Sequence, residues 1–137
     1  MGVAVVPSSG VIVVADTDNH LIRLVTPQGV VSTLAGQCDT VDLSGHCSTQ
    51  GDYADGAGTA ARFRYPHGVA IIPSSNVIVA AEMGNGRIRL VSPLGVVTTL
   101  AGGGLGAFSD GHGTSAIFSG PTGVAVVAAS GLIVVAD

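Results

Sequence analysis

Gly2-Val3-Ala4-Val5-Val6-Pro7-Ser8-Ser9 recurs 66 residues later, without a gap, as Gly68-Val69-Ala70-Ile71-Ile72-Pro73-Ser74-Ser75. The correspondence continues outward from that stretch. Val11-Ile12-Val13-Val14-Ala15-Asp16 aligns with Val77-Ile78-Val79-Ala80-Ala81-Glu82, Ile22-Arg23-Leu24-Val25 with Ile88-Arg89-Leu90-Val91, and the run from Gly29 to Gly36 with the run from Gly95 to Gly102. A third copy opens at Gly123-Val124-Ala125-Val126-Val127 and runs through Gly131 to Asp137, now at an offset of 55. The connecting segments repeat too: Asp55-Gly56-Ala57-Gly58-Thr59-Ala60-Ala61-Arg62-Phe63 matches Asp110-Gly111-His112-Gly113-Thr114-Ser115-Ala116-Ile117-Phe118. The difference between the offsets lies between Gln37 and Gly51. The chain thus divides into a first repeat at 1–36, a linker with a cysteine-containing insertion at 37–67, a second repeat at 68–102, a linker at 103–122 and half of a third repeat at 123–137.

Each repeat reads as four short strands, which in the first copy are Val3 to Val6, Val11 to Ala15, Leu21 to Thr26 and Val30 to Leu34. They are rich in Val and Ile, which suit a pleated surface, and are separated by Pro-Ser-Ser-Gly, Thr-Asp-Asn-His and Pro-Gln-Gly turn signals. The first two strands of each unit are almost continuously apolar, as strands covered on both faces are, whereas the third and fourth admit Arg, Thr and Ser. Four-stranded antiparallel units in tandem, with inner strands buried on both sides, define the blades of a β-propeller, because each sheet hides its faces against its neighbours. The expected fold is all-β, with about two and a half blades of four antiparallel strands. A β-sandwich is the rival, but a sandwich has no reason to repeat its strand chemistry in fixed order.

Composition narrows the functions. The chain has 137 residues, 47% of them hydrophobic and only 10% charged, with a mean hydropathy of +0.59. Its longest apolar runs are about one strand long, well short of the ~20 residues that a spanning helix needs. Net charge is −4 with no lysine, and five arginines are too few for the basic stripe that nucleic acid requires. Two Tyr, three Phe and no Trp do not furnish an interfacial belt, so a membrane partner is not expected either. Met1 leads into Gly2-Val3-Ala4 without a basic n-region or cleavage site, so a secretory leader is not read here.

Pro66-His67-Gly68-Val69-Ala70, followed by Val79 to Arg89, resembles the NHL repeat. The triplet that names that family stands as Asn19-His20-Leu21 after Val14-Ala15-Asp16-Thr17-Asp18, and the Asp-Gly-x-Gly-Thr-x-Ala-x-Phe linker is similar as well. The resemblance covers the chain apart from Gln37 to Gly51. It implies a propeller, commonly of six blades, used for protein or RNA binding and occasionally, with added metal-site histidines, for lyase chemistry. The second copy departs with Asn85-Gly86-Arg87 in place of the triplet, and the third ends before reaching it.

Asp16, Glu82 and Asp137 occupy one equivalent position at the end of the second strand. They are expected to cap the turn that follows, with Asn19, His20 and Asn85 completing it; a ring of carboxylates offering oxygen to a cation is the alternative. Arg23 and Arg89 recur between apolar neighbours and are expected to reach carboxylates or carbonyls of the adjacent blade, a ligand-binding arginine being the alternative. Phe63 and Phe118 are expected to plug the gaps between blades. Cys38 and Cys47, nine residues apart in the insertion, close readily into a disulfide and point to an oxidising compartment; reduced cysteines or half of a zinc site are the alternatives.

No catalytic set converges. His20, His46, His67 and His112 sit in turns or linkers and form no zinc pair. Ser8-Ser9-Gly10 and Ser74-Ser75-Asn76 are better read as hairpin turns than as nucleophile elbows. The glycine-rich stretches lack the following helix of a phosphate loop. Neither metal nor cofactor is expected. The leading reading is a non-catalytic extracellular or cell-surface scaffold, partnered by further blades of a parent chain, by copies of itself in a ring or filament, or by a protein ligand. The alternatives are a lyase- or lactonase-like propeller with a channel-bound metal, and an intracellular protein-binding or RNA-binding propeller.

Overall fold

The computed structural model describes residues 1–47 and 51–137, so residues 48–50 of the cysteine-containing insertion lie outside the described residues. The first sheet runs β1 (Val3–Val5), β2 (Ile12–Asp16), β3 (Leu21–Val25) and β4 (Val31–Ala35), each antiparallel to the next. A two-residue strand, β5 (Gly56–Ala57), precedes the second sheet of β6 (Pro66–Ile72), β7 (Val77–Glu82), β8 (Arg87–Val91) and β9 (Val96–Ala101). It pairs with the outer edge of β9, so the 37–67 linker contributes a fifth strand to the second blade. The third sheet contains β10 (Gly123–Val127) and β11 (Leu132–Ala136). The chain is therefore an incomplete, unclosed propeller, as the repeat requires.

Successive sheets pack through their first strands, with β1 against β6 and β6 against β10, which makes those strands innermost. Glycine governs how closely they meet. A Cβ on Gly2 would lie 2.6 Å from the His67 carbonyl oxygen, and one on Gly68 would lie 2.7 Å from the Thr122 carbonyl oxygen and 2.9 Å from the Gly123 Cα. These neighbours are backbone and cannot swing aside, so the necks of the blades need glycine for close approach. At the opposite end, the β6–β7 hairpin turns through Asn76 at φ 56°, where the first and third copies have Gly10 and Gly131 at φ 71°. Asparagine is the side chain that best tolerates this left-handed position.

Two apolar layers result. One joins Val13, Ala15 and Ile22 of the first blade to Val69, Ile71, Ile78, Ala80, Val91 and Val97 of the second, with Phe63 and Ala61 from the linker. The other sets Val79, Ala81 and Ile88 of the second blade against Val124, Val126, Ile133 and Val135 of the third, with Phe118 packed alongside. The middle blade is covered on both sides and the outer two on one side each. Val3 is 64% exposed where its equivalent Val69 is 7% exposed, and Val134 is 51% exposed where its equivalent Val79 is fully buried.

Substituting Gly68→Ala should force the second and third blades apart and lower the unfolding free energy by about 1–3 kcal/mol. Ser74→Ala, on an exposed turn, should change it by less than about 0.5 kcal/mol. Urea titration at matched protein concentration compares the two.

Candidate functional site

The turn between the second and third strands carries the polar pattern shared by the first two copies: a carboxylate, an asparagine three residues on and an arginine seven residues on. In the first blade Asp16 accepts from Asn19 Nδ2 at 3.0 Å and from Arg23 Nη1 at 3.3 Å. In the second, Glu82 Oε1 accepts from Asn85 Nδ2 at 3.0 Å, and Glu82 Oε2 accepts from Arg89 Nη1 at 2.6 Å. In both sheets a bulge interrupts the outer pairing at this arginine, between Ile22 and Arg23 and between Ile88 and Arg89. Bulges of this kind re-aim side chains.

The second blade completes the network with its linker. Arg89 Nη1 also donates to the Arg62 carbonyl at 3.1 Å, and Nη2 donates to the Ala54 carbonyl at 2.9 Å and to Asp55 Oδ1 at 2.8 Å. The guanidinium stands 5.0 Å from the Tyr53 ring centre and 5.2 Å from that of Phe63. Arg87 lies over the other part of this wall, 3.8 Å from the Tyr53 ring centre. Asp55 is held in turn by the Thr99 hydroxyl at 3.0 Å. The linker is what encloses the arginine: Arg89 is fully buried, whereas the Arg23 side chain is 35% exposed and that of Asp16 21%.

The structure corrects two expected roles. The carboxylates do not cap the turn that follows them: Asp16 makes no side-chain bond to its backbone. Asp16 holds Asn19 and Arg23, and Glu82 and Asp137 fasten the linker that enters the blade. Glu82 Oε1 accepts the Arg64 backbone N–H at 2.8 Å, and Asp137 accepts those of Ser119 and Gly120 at 2.9 Å each. Arg23 pairs with Asp16 and Arg89 with Glu82 of the neighbouring strand in the same sheet, while the Asp55 carboxylate and the two carbonyls that Arg89 also reaches belong to the linker.

Phe63 and Phe118 sit in the two apolar layers between blades. His20 is buried at φ 60°, where the second copy has Gly86, also at φ 60°. Its Nδ1 accepts the Tyr65 backbone N–H at 3.1 Å, and its ring meets that of Tyr65 edge-on at 4.8 Å. The histidine of the triplet therefore ties the first blade to the start of the second. Cys38 and Cys47 form a disulfide with a Cα–Cα distance of 5.6 Å, and the Cys47 N–H donates to Asn19 Oδ1 at 3.1 Å, docking the loop on the first blade. Sequence reading missed Tyr53, Asp55 and Tyr65, although the match of Asp55 with Asp110 already marked that linker as part of the repeat.

Among the described residues no group of three or more His, Cys, Asp and Glu side chains is placed to hold a metal ion, and no helix is long and apolar enough to cross a membrane. Burial pushes the Glu82 carboxyl above the usual carboxylate range, while the Arg89 charge, the Arg64 N–H and the Asn85 amide pull it back. What the arrangement does chemically is neutralise and enclose charge at a blade edge.

Residues 2–23, which reach from the first strand of the first blade into its third, match the family described as the NHL repeat. Comparison with curated proteins finds no match. Two solved structures are similar at a TM-score of 0.76: a Bacteroides thetaiotaomicron protein of unknown function at 19% identity, and an auxiliary nutrient binding protein from Bacteroides ovatus at 21% identity. A further auxiliary nutrient binding protein, from Bacteroides thetaiotaomicron, is similar at a TM-score of 0.54 and 15% identity, with 98% of this chain and 44% of that one covered. The first two alignments cover 98% and 97% of this chain and 32% and 33% of the others. The chain spans about a third of the length of those two structures, and the likeness establishes the fold.

Replacing Arg89 by glutamine should destabilise the chain by about 3–5 kcal/mol at neutral pH, because it leaves Glu82 buried without its cation. The same change removes the pull that lowers the Glu82 carboxyl, so the folded-state pKa rises further above the unfolded one. The folded chain then holds a proton over a pH range in which the unfolded chain has lost it, and stability falls as pH rises through that range. Arg89→Gln should therefore regain stability on acidification toward the ordinary carboxylate range more steeply than the parent. Urea midpoints at about pH 7 and about pH 5 measure the difference.

Proposed function

We propose that this chain is a non-catalytic NHL-type propeller segment that works as a structural or protein-binding scaffold outside the cell, completed by further blades of a parent chain or by copies of itself. The observation that carries the reading is the pair of unlike open faces at its two ends. The first blade exposes Val3, Val5, Ile12 and Val31, and the third exposes Val127, Leu132 and Val134. Each open face has an equivalent in the middle blade that is packed against a neighbour. Exposed apolar faces of this sort mark interaction surfaces, and unlike faces on one molecule join head to tail.

Three further features support the reading. The titratable groups of the repeat are occupied with one another in fastening linker to blade. The Cys38–Cys47 disulfide suits an oxidising compartment. A binding role also accords with two similar structures described as auxiliary nutrient binding proteins.

Light scattering and electron microscopy of the purified chain should find assemblies, and Val5→Asp or Val134→Asp should reduce their mass. A monodisperse species of 13.4 kDa defeats the reading of open faces. Thiol titration of the native protein should find Cys38 and Cys47 unreactive; two free thiols would argue for a reducing compartment.

A further inference from the structure

The ionisable side chains are gathered at one end of the sheets. Every Asp, Glu, Arg and His lies in a linker, in a turn between second and third strands, or on a strand no farther from that end than its middle. The hairpin turns at the other end, at 7–10, 26–29, 73–76, 92–95 and 128–131, carry none. There a cavity of about 280 Å³ opens between the first and second blades, lined among others by Val13, Leu34 and Ile78, with Ser9, Asn76 and Pro93 of the neutral turns at its rim. Phe63 fills this junction on its linker side, and aliphatic side chains alone form the walls here. Both walls belong to blades already packed on each other, so blades added elsewhere leave the cavity open.

Leu94 stands directly after Pro93 of that rim and is 89% exposed. Its turn is firmly tied. The Gly95 N–H donates to the Ser92 carbonyl and the Ser92 N–H to the Val96 carbonyl, both at 2.9 Å, and the Val96 N–H donates to the Ser92 hydroxyl at 3.0 Å. The Gly58 N–H donates to the Gly95 carbonyl at 2.9 Å and fastens the turn to the linker. One neutral surface thus carries a fixed apolar knob beside an apolar hole.

We propose that this end is a self-pairing surface: two copies meet about a twofold axis, and Leu94 of each enters the cavity of the other. Knob and hole adjoin in one surface, as an isologous contact requires, since each copy gives what it receives. Charge fixes the polarity of the pair. The net charge of −4 belongs to the other end, so charged ends would repel, while neutral ends meet without an unpaired ion to desolvate. A second copy brings its leucine already held, and so loses less conformational freedom than a flexible aliphatic segment would. The surface is separate from the open lateral faces of the first and third blades, and the pairing does not rest on how those faces are covered.

Sedimentation velocity over a concentration series uses the full chain carrying Val5→Asp and Val134→Asp, which block the lateral faces and leave the neutral end intact. Pairs of twice the 13.4 kDa chain mass, in reversible equilibrium with single chains, are expected. Leu94→Asp or Ser9→Arg, both at exposed positions, should leave single chains only, with an unchanged far-UV circular dichroism spectrum. Leu43→Asp, exposed in the cysteine-containing insertion, should leave the pairs, and so should salt raised to about 1 M, which screens charge. In the chain without the lateral substitutions, Leu94→Asp should lower the mass of the assemblies. Single chains at every concentration, pairs that survive both Leu94→Asp and Ser9→Arg, or pairs that yield to Leu43→Asp instead would overturn the proposal. Lateral assemblies that persist without pairs count against this pairing alone, and pairs without lateral assemblies count against the scaffold reading alone.

Discussion

Everything in this molecule depends on one sheet covering the face of the next. A four-stranded sheet of valine, isoleucine and alanine has two oily sides, and water penalises each by roughly 25 cal/mol for every Å² left bare. The middle blade escapes that penalty on both sides, and β7 shows it: Ile78, Val79, Ala80 and Ala81 alternate between the two apolar layers and are all buried. The same residue types in the flanking blades are buried on one side and open on the other. Composition follows from this constraint, since inner strands with two covered faces have no side on which to carry charge.

Where charge enters the sheets, a carboxylate at the end of the second strand meets an arginine in the middle of the third and is neutralised there. The Glu82–Arg89 pair is buried at both ends of its contact, and such pairs contribute little net stability beside what an apolar pair would. Its value lies in geometry. One guanidinium, planar and fivefold in donors, engages a carboxylate of its own sheet, two linker carbonyls and a second carboxylate. The linker cannot leave the second blade without stranding several buried polar groups at once, and the bonds of Asp137 to the Ser119 and Gly120 N–H groups hold the second linker to the same path into the third. That uniform path places an aromatic ring, Phe63 or Phe118, at each blade junction.

The blade repeat was legible because its period is carried by main-chain chemistry. Glycines at necks and turns and short aliphatic runs recur in all three copies, and a proline follows the first strand in the first two, whatever the partner residues are. The polar site was half legible. Asp16, Glu82 and Asp137 stood out as equivalent, and so did Arg23 and Arg89, but nothing in the linear order joins Asp55 to Arg89 or Tyr53 to Thr99. Those contacts cross from linker to sheet, and the carboxylates' true partners, the N–H groups of Arg64, Ser119 and Gly120, lie 17 or 18 residues upstream of them.

The amino-acid sequence by itself determined the strand order, the sheet class, the number of repeats and the cysteines able to close the insertion, because these rest on local propensity and on self-similarity. Only the tertiary structure decided which faces are bare, which arginine is enclosed and which cavity stands open. Equivalent residues such as Val3 and Val69, or Asp55 and Asp110, are alike in sequence and differ solely in what packs against them. Burial belongs to the neighbour as much as to the residue, and no linear pattern records the neighbour.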